Sequence, residues 1–289
     1  MAEKQTIGMI GTGVMGKSMA EHILQNGYEL AVYTRTKSKA DALIENGAQW
    51  KHTPKEVAEI ADIIITMIGT PADVEEVYFG DDGLLAHAKP NSVLIDMTTS
   101  KPSLAIDIYN QAKEKDLYAL DAPVSGGDVG AKNGTLAIMD GGDKGVFEQM
   151  LPIFKIMGEN IVYEGEAGAG QHTKVINQIS IAPAMIGLCE AIMYINKSGL
   201  DAKTVLGTIS TGAAGSWSLD NYAPRMLVGD FAPGFAIKHY IKDMKIALES
   251  AEELGMDTPG LRLALDMYQQ VADMGAEENG IHGLLKYYE

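Results

Sequence analysis

Short apolar segments alternate with helix-like segments through the first half of the chain. The segments between them have the three-to-four residue spacing of apolar positions that is typical of amphipathic helices. Alternation of this kind predicts βαβ units, and therefore a mostly parallel sheet covered by helices on both faces. Strands are predicted at 7–10, 30–33, 63–67, 93–96, 118–121, 135–139 and 161–163, and helices at 14–26, 37–46, 54–60, 72–79, 102–115 and 144–157.

The strand pattern stops near residue 165, and helical patterns follow. Residues 170–199 are predicted to form one unusually long helix, which Pro183 should kink or end because proline removes a helical hydrogen bond. Further helices are predicted at 202–210, 218–228, 234–254 and 259–274. The sequence thus predicts an α/β fold: an N-terminal Rossmann-type doubly wound sheet in residues 1–165, joined through the long helix to an all-α C-terminal domain in residues 166–289.

A glycine-rich loop directly follows the first predicted strand. In the pattern G-x-G-x-x-G, Gly11 permits a tight turn, Gly13 lets the backbone approach a pyrophosphate, and Gly16 lets the next helix pack closely on the sheet. The phosphates would lie at the helix N-terminus, where free N–H groups and the helix dipole favour negative charge. The loop predicts a dinucleotide site made by Gly11, Thr12, Gly13, Val14, Met15 and Gly16.

The end of the second predicted strand indicates which dinucleotide is bound. An NAD site usually carries an acidic residue there, to bind the ribose 2′-hydroxyl. Here the residues are Thr34, Arg35 and Thr36. A guanidinium can pair with a 2′-phosphate that a carboxylate would repel. The sequence therefore favours NADP(H), with NAD(H) possible; the alternative is that Arg35 is a solvated loop charge.

Charge and composition restrict the partners. The net charge of −16 argues against nucleic acid and against anionic membrane surfaces. The one cysteine, Cys189, excludes an intramolecular disulfide and suits a reducing compartment, and it reads as a core residue. The N-terminus has no signal-peptide apolar region, and no apolar run approaches the roughly 20 residues that span a bilayer. We expect a cytoplasmic protein.

Two further segments have local chemistry of their own. Gly168 and Gly170 precede the long helix, and Lys174 and Asn177 would then project from nearly one face of its first turns. A lysine partly desolvated there would have a pKa lowered toward the range of acid/base catalysis. Residues 125–127, Ser-Gly-Gly, could form a backbone turn that binds a carboxylate. Taken alone, Lys174 could be an ordinary solvated helix lysine, and residues 125–127 could be a simple turn.

Five segments in order, namely 11–16, 96–100, 121–127, 168–178 and 235–243, resemble the β-hydroxyacid dehydrogenases. That family includes 3-hydroxyisobutyrate dehydrogenase and tartronate semialdehyde (2-hydroxy-3-oxopropionate) reductase, and the resemblance covers essentially the whole chain. It implies an enzyme that interconverts a small, anionic β-hydroxyacid and its semialdehyde by hydride transfer, without a metal. It also implies a homodimer or homotetramer.

The resemblance also implies roles for individual residues. Lys174 would be the acid/base, and Asn177 would orient the same substrate oxygen. The remaining implied contacts are with the substrate, at Ser125, Gly126, Gly127 and Lys242, and with the dinucleotide, at Met67, Thr98 and Lys242. Gln178, where many hydroxyisobutyrate enzymes have asparagine, favours a semialdehyde reductase. Two alternatives stay open: an imine reductase on the same scaffold, and a non-catalytic NADP-binding protein.

Overall fold

The computed structural model describes residues 5–289. Along the chain these divide into two compact units, with the boundary between Lys174 and Val175. The expectation that no signal peptide precedes the first strand rests partly on residues 1–4, which lie outside the described residues. The predicted domain boundary at 165 stays a prediction. The two compact units are described separately below.

The first unit contains a mixed sheet in which the predicted parallel part is present. Among the described residues its strands are β1 (Thr6–Ile10), β2 (Glu29–Tyr33), β3 (Gln49–Trp50), β4 (Ile63–Thr66), β5 (Val93–Asp96), β6 (Tyr118–Asp121), β7 (Val124–Ser125), β8 (Leu136–Gly142) and β9 (Gly158–Gly165). Their order is β3-β2-β1-β4-β5-β6-β8-β7, with β9 on β8. The first six strands in this order are parallel to one another, whereas β8 pairs with β6 and β7 in the antiparallel sense.

The helices of this unit cover both faces of the sheet, as predicted for a doubly wound fold. They are α1 (Val14–Gln25), α2 (Asp41–Glu45), α3 (Pro54–Ala58), α4 (Pro71–Phe79), α5 (Leu84–His87), α6 (Pro102–Lys113), α7 (Gly127–Asn133) and α8 (Lys144–Met157). On β4, Ile63 and Ile65 pack into one core cluster and Ile64 into the other. A strand buried on both faces is what parallel strands between two helix layers require. The fold class is therefore confirmed.

The long helix predicted at 170–199 is present as α9 (Ala169–Ser198). Pro183 lies inside the helix and does not end it. Neighbouring contacts can compensate for the one lost hydrogen bond of an internal proline. The helix is also more apolar than expected, since by length and composition alone it could cross a membrane, with a mean hydropathy of 1.5 over 18 residues. A core helix of a water-soluble protein passes the same test, and 44% of that stretch is buried in the fold.

The second unit is helical throughout. After the end of α9 it contains α10 (Ala202–Ile209), α11 (Trp217–Leu227), α12 (Ile237–Glu253) and α13 (Pro259–Val271), followed by a 3₁₀ segment at Ile281–Tyr288. Its core joins apolar residues of these helices to Met185 and Ile192 of α9. Cys189 lies in the same core, fully buried, and burial raises the pKa of its thiol to about 12. The expectation that Cys189 is a core residue is confirmed.

Candidate active site

The glycine-rich loop leaves β1 in a conformation that depends on its first and third glycines. Gly11 has φ of +95° and donates its N–H to the carbonyl of Tyr33 at 2.8 Å. A side chain at Gly16 would place its Cβ closer to the Gly11 carbonyl oxygen than real Cβ atoms approach any backbone atom. The turn of Gly11 and the close packing of Gly16 are therefore both present as predicted.

The second glycine, Gly13, faces open space, as the approach of a pyrophosphate to the backbone would require. A Cβ built on Gly13 would meet no atom within 4 Å. The neighbouring Thr12 hydroxyl is buried and has no hydrogen-bond partner among the described residues. Helix α1 begins at Val14 with no side-chain cap and no acidic residue in its first turn. Its N-terminal N–H groups are thus available to an anion, as a dinucleotide site requires.

Two loops flank this turn, because β2 and β4 are the neighbours of β1 in the sheet. Ile10 is paired with Tyr33 on one side and with Thr66 on the other. Arg35, just beyond β2, donates to the carboxylate of Asp73 on α4 at 2.8 Å. The arginine predicted to meet a 2′-phosphate is thus held by an acid that lies 38 residues further along the chain, which no local motif could indicate.

Met67 and Thr98 follow the ends of β4 and β5. Met67 is half-buried and its N–H donates to the carbonyl of Ile10 at 2.9 Å. The Thr98 hydroxyl accepts the N–H of Ile68 at 3.0 Å, and Thr98 is almost fully buried. These bonds fix the two loops at the carboxyl ends of parallel strands, the edge at which open α/β sheets bind ligands.

Lys174 is buried in the first unit, near the start of α9. Its side-chain amine donates to the carbonyl of Val124 at 2.9 Å, and 7% of the residue is exposed. Because Val124 precedes Ser125 on β7, this bond brings the predicted acid/base beside the predicted carboxylate-binding turn. Lysine is rarely buried to this extent in folded proteins unless its amine is paired.

Asp121 and Gln171 hold the first turn of α9; both lie in segments that carry the family resemblance, but the sequence assigned neither a role. The buried Asp121 carboxylate accepts the N–H of Gly168 at 2.7 Å and that of Gln171 at 2.8 Å. The Gln171 amide donates to the Thr98 carbonyl at 2.7 Å and accepts the Ser100 N–H at 2.9 Å. Asp121 lies 47 and 50 residues before the N–H groups of Gly168 and Gln171, so no local sequence signal indicates the contact.

Two buried carboxylates of this region have raised pKa values. Burial raises the pKa of Asp121 to about 7, against the opposing effect of its two backbone N–H donors. Burial, and secondarily the charge of Asp121, raises the pKa of Asp140 to about 9. Neither oxygen of Asp140 has a hydrogen-bond partner among the described residues. Asp140 is therefore protonated at neutral pH.

Asp140 makes the stability of the protein depend on pH. A carboxyl group whose folded pKa lies above its unfolded value of 3.8 binds more protons in the folded state, so stability falls as the pH rises from about 4 to about 9. We expect Asp140→Asn to raise the melting temperature by several degrees at pH 8 and by little at pH 5. Thermal unfolding at both pH values measures this, and an equal effect at both would contradict it.

Residues 125–127 form a turn that requires its two glycines. Gly126 has φ of +126° and Gly127 has φ of +62°, both in the region that other residues avoid. The turn begins at the end of β7, a two-residue strand that the sequence did not predict, and continues into α7. The predicted binding of a substrate carboxylate at Ser125, Gly126 and Gly127 stays a prediction.

The second unit contains two of the predicted site residues, Asn177 and Lys242, joined in one network. Asn177 donates to Gln178 at 2.8 Å, Gln178 donates to the buried Asp243 at 2.6 Å, and Lys242 pairs with the other oxygen of Asp243 at 2.8 Å. Asn177 lies three residues after Lys174 on α9. The roles of Asn177 and Lys242 toward a ligand stay predictions. Within residues 5–289 no group of three or more His, Cys, Asp or Glu side chains could hold a metal ion.

Two domain families match the chain along nearly its whole length. Residues 6–165 match the NAD binding domain of 6-phosphogluconate dehydrogenase. Residues 168–288 match the family described as NAD-binding of NADP-dependent 3-hydroxyisobutyrate dehydrogenase.

Individual relatives are similar over their full lengths. An uncharacterized oxidoreductase of Bacillus subtilis, YkwC, is 60% identical, with 99% of both chains covered. The 2-hydroxy-3-oxopropionate reductase of Escherichia coli is 36% identical, covering 94% of this chain and 93% of its own. The structure of 3-hydroxyisobutyrate dehydrogenase from Mycobacterium tuberculosis with L-serine has a TM-score of 0.90 at 28% identity, with 99% of both chains covered. A Streptomyces aurantiacus imine reductase, at 24% identity and a TM-score of 0.66, covers 99% of this chain and 100% of its own and shares the fold.

Proposed function

Because this chain belongs to the β-hydroxyacid dehydrogenase family, we propose that it interconverts a small β-hydroxyacid and its semialdehyde, with Lys174 as the acid/base. The observation that carries the proposal is the burial of Lys174, with its amine on the Val124 carbonyl beside the turn of residues 125–127. The NAD(P)-binding fold of residues 6–165 supports a dinucleotide as the second substrate.

In the proposed reaction the protein handles a proton while a bound nicotinamide supplies or accepts the hydride. During reduction, the Lys174 ammonium gives its proton to the carbonyl oxygen of the semialdehyde, and during oxidation the neutral amine takes the proton from the hydroxyl group. Asp121 and Gln171 support this role because they fix the turn of α9 that leads to Lys174. A proton donor held in place before the reaction costs no reorganisation when charge develops on the oxygen.

The substrate is proposed to be a small anion, which must be bound against a net protein charge of −16. Ser125, Gly126 and Gly127 would bind its carboxylate, Asn177 would orient its oxygen, and Lys242 would add a positive charge. The network of Gln178 and Asp243 supports the last two roles because it fixes both side chains. We further propose a cytoplasmic homodimer or homotetramer that prefers NADP(H).

A panel of semialdehydes tests this function. Oxidation of NADPH, followed at 340 nm with NADH in parallel, would be measured with tartronate semialdehyde, methylmalonate semialdehyde, succinic semialdehyde and glyoxylate. We expect one substrate to be reduced much faster than the others, and faster with NADPH. The names of two relatives, 3-hydroxyisobutyrate dehydrogenase and 2-hydroxy-3-oxopropionate reductase, make methylmalonate and tartronate semialdehyde the first candidates.

Slow turnover of the whole panel despite tight NADPH binding would contradict the proposal. Activity toward cyclic imines would then favour the alternative that this protein is an imine reductase. The Streptomyces aurantiacus imine reductase, at 24% identity, supports a shared fold only. No turnover of either class would favour a non-catalytic NADP-binding protein. The buried Lys174 beside Ser125 supports carbonyl chemistry over both alternatives.

A further inference from the structure

The contact between Arg35 and Asp73 concerns the choice between the two nicotinamide dinucleotides, and it rests on the proposed dinucleotide site. Arg35 extends from the loop after β2 with 76% of its side chain exposed, whereas the Asp73 side chain is 20% exposed. The two loops lie on either side of Gly11, since β2 and β4 flank β1. The arginine predicted to recognise a 2′-phosphate is thus already paired with a carboxylate.

Asp73 is held rigidly, and therefore its charge is fixed in place. One oxygen accepts the N–H and the hydroxyl of Thr70, at 2.9 and 2.8 Å, while the Thr70 hydroxyl accepts the Asp73 N–H at 3.1 Å. This is a reciprocal capping box at the start of α4. The other oxygen faces Arg35 at 2.8 Å. The carboxylate cannot move away from an arriving phosphate without breaking the cap.

A fixed carboxylate opposes a 2′-phosphate in two ways. It offsets the positive charge of Arg35, and it repels a phosphate monoester, which carries about −1.5 to −2 charges at neutral pH. The 2′-hydroxyl of NAD(H) is neutral, so neither of these two effects weakens its binding. We propose that Asp73 is a specificity-determining residue that acts through Arg35 to weaken the preference for NADP(H) over NAD(H).

Asp73→Asn tests this inference because asparagine keeps an oxygen for the Thr70 cap and removes the charge. Titration calorimetry would measure the dissociation constants of NADPH, NADH, 2′,5′-ADP and 5′-ADP. We expect Asp73→Asn to tighten NADPH and 2′,5′-ADP about 5- to 10-fold, the order expected for one screened charge, and to leave NADH and 5′-ADP nearly unchanged. The ratio of kcat/KM values for the two dinucleotides should shift by the same factor.

Two variants serve as controls. Glu75→Gln removes the same charge from an exposed position on α4, where no bond to Arg35 is made, and it should leave all four constants unchanged. In an Arg35→Ala background only the direct repulsion of the phosphate by Asp73 remains, so Asp73→Asn should tighten NADPH by a clearly smaller factor than it does with Arg35 present.

Several results would overturn the inference. An unchanged NADPH/NADH ratio in Asp73→Asn means that Asp73 does not determine specificity. If Asp73→Asn changes the NADPH/NADH ratio by the full factor in the Arg35→Ala background, Asp73 does not act through Arg35. If Glu75→Gln changes the ratio equally, the effect comes only from the net charge of the protein. Binding of the nucleotides without any turnover would refute the proposed function and leave the inference standing, whereas failure to bind any of them would refute both.

Discussion

Replacing Lys174 by methionine is expected to lower kcat about 10²- to 10⁴-fold, the range that a positioned proton donor contributes. Methionine is unbranched like lysine and suits a buried position, so the fold should be retained. It offers no N–H to the Val124 carbonyl, which accepts the lysine amine at 2.9 Å in the native protein. The loss of that bond adds a stability cost of about 1–3 kcal/mol.

The measurement compares steady-state rates, pH profiles and NADPH binding. In the plot of kcat against pH, the change that comes from proton transfer by Lys174 should disappear. The dissociation constant for NADPH should stay within about twofold of the value for the native protein. Lys197→Met is the matched control, because Lys197 is exposed in the last turn of the same helix. Turnover of the Lys174 variant equal to that of the Lys197 variant would refute the acid/base assignment.

The second large effect is expected in the glycine-rich loop, where two glycines should respond differently to alanine. Gly13→Ala meets no atom within 4 Å, so the melting temperature of the free protein should be unchanged. The added methyl group occupies the space in which a pyrophosphate would approach the backbone, so NADPH binding should weaken 100-fold or more, about 3 kcal/mol. A Gly13 variant that binds NADPH normally would refute this location for the phosphates.

Gly16→Ala acts on the free protein instead. Its Cβ would overlap the Gly11 carbonyl, which is backbone and cannot turn aside. Overpacking of this kind typically costs about 1–3 kcal/mol, and we expect a melting temperature lowered by several degrees. Thermal unfolding without ligand separates the two variants: a loss of stability in Gly13→Ala, or none in Gly16→Ala, would contradict the assigned roles.

Much of the first unit could be predicted from sequence because its strands are buried on both faces. The run Ile63, Ile64, Ile65 has no polar position, and such a run between helical segments indicates a central parallel strand. The two-residue strands β3 and β7 were missed because they are too short to show a period. Helix α7 was missed because three of its seven residues are glycine or asparagine, which are poor helix formers.

The candidate site could be predicted only where its residues are consecutive or one helical turn apart. Gly11, Gly13 and Gly16 form a local pattern, and Lys174 and Asn177 lie on one helix. The contacts of Arg35 with Asp73, and of Asp121 with Gln171, join residues 38 and 50 positions apart. Contacts at such separations are set by strand order in the sheet, which leaves no periodic signal in the sequence.

The strand order also has a consequence for the timing of biosynthesis. The dinucleotide loop follows β1, and both neighbours of β1 in the sheet, β2 and β4, end by Thr66. The bonds that hold the loop, from Gly11 to Tyr33 and from Met67 to Ile10, use no residue beyond Met67. The Lys174 codon is translated about 100 residues later, a delay of about 5–20 s at ordinary ribosome speeds. The nascent chain therefore carries all parts of the glycine-rich loop before Lys174, the proposed acid/base, has been made.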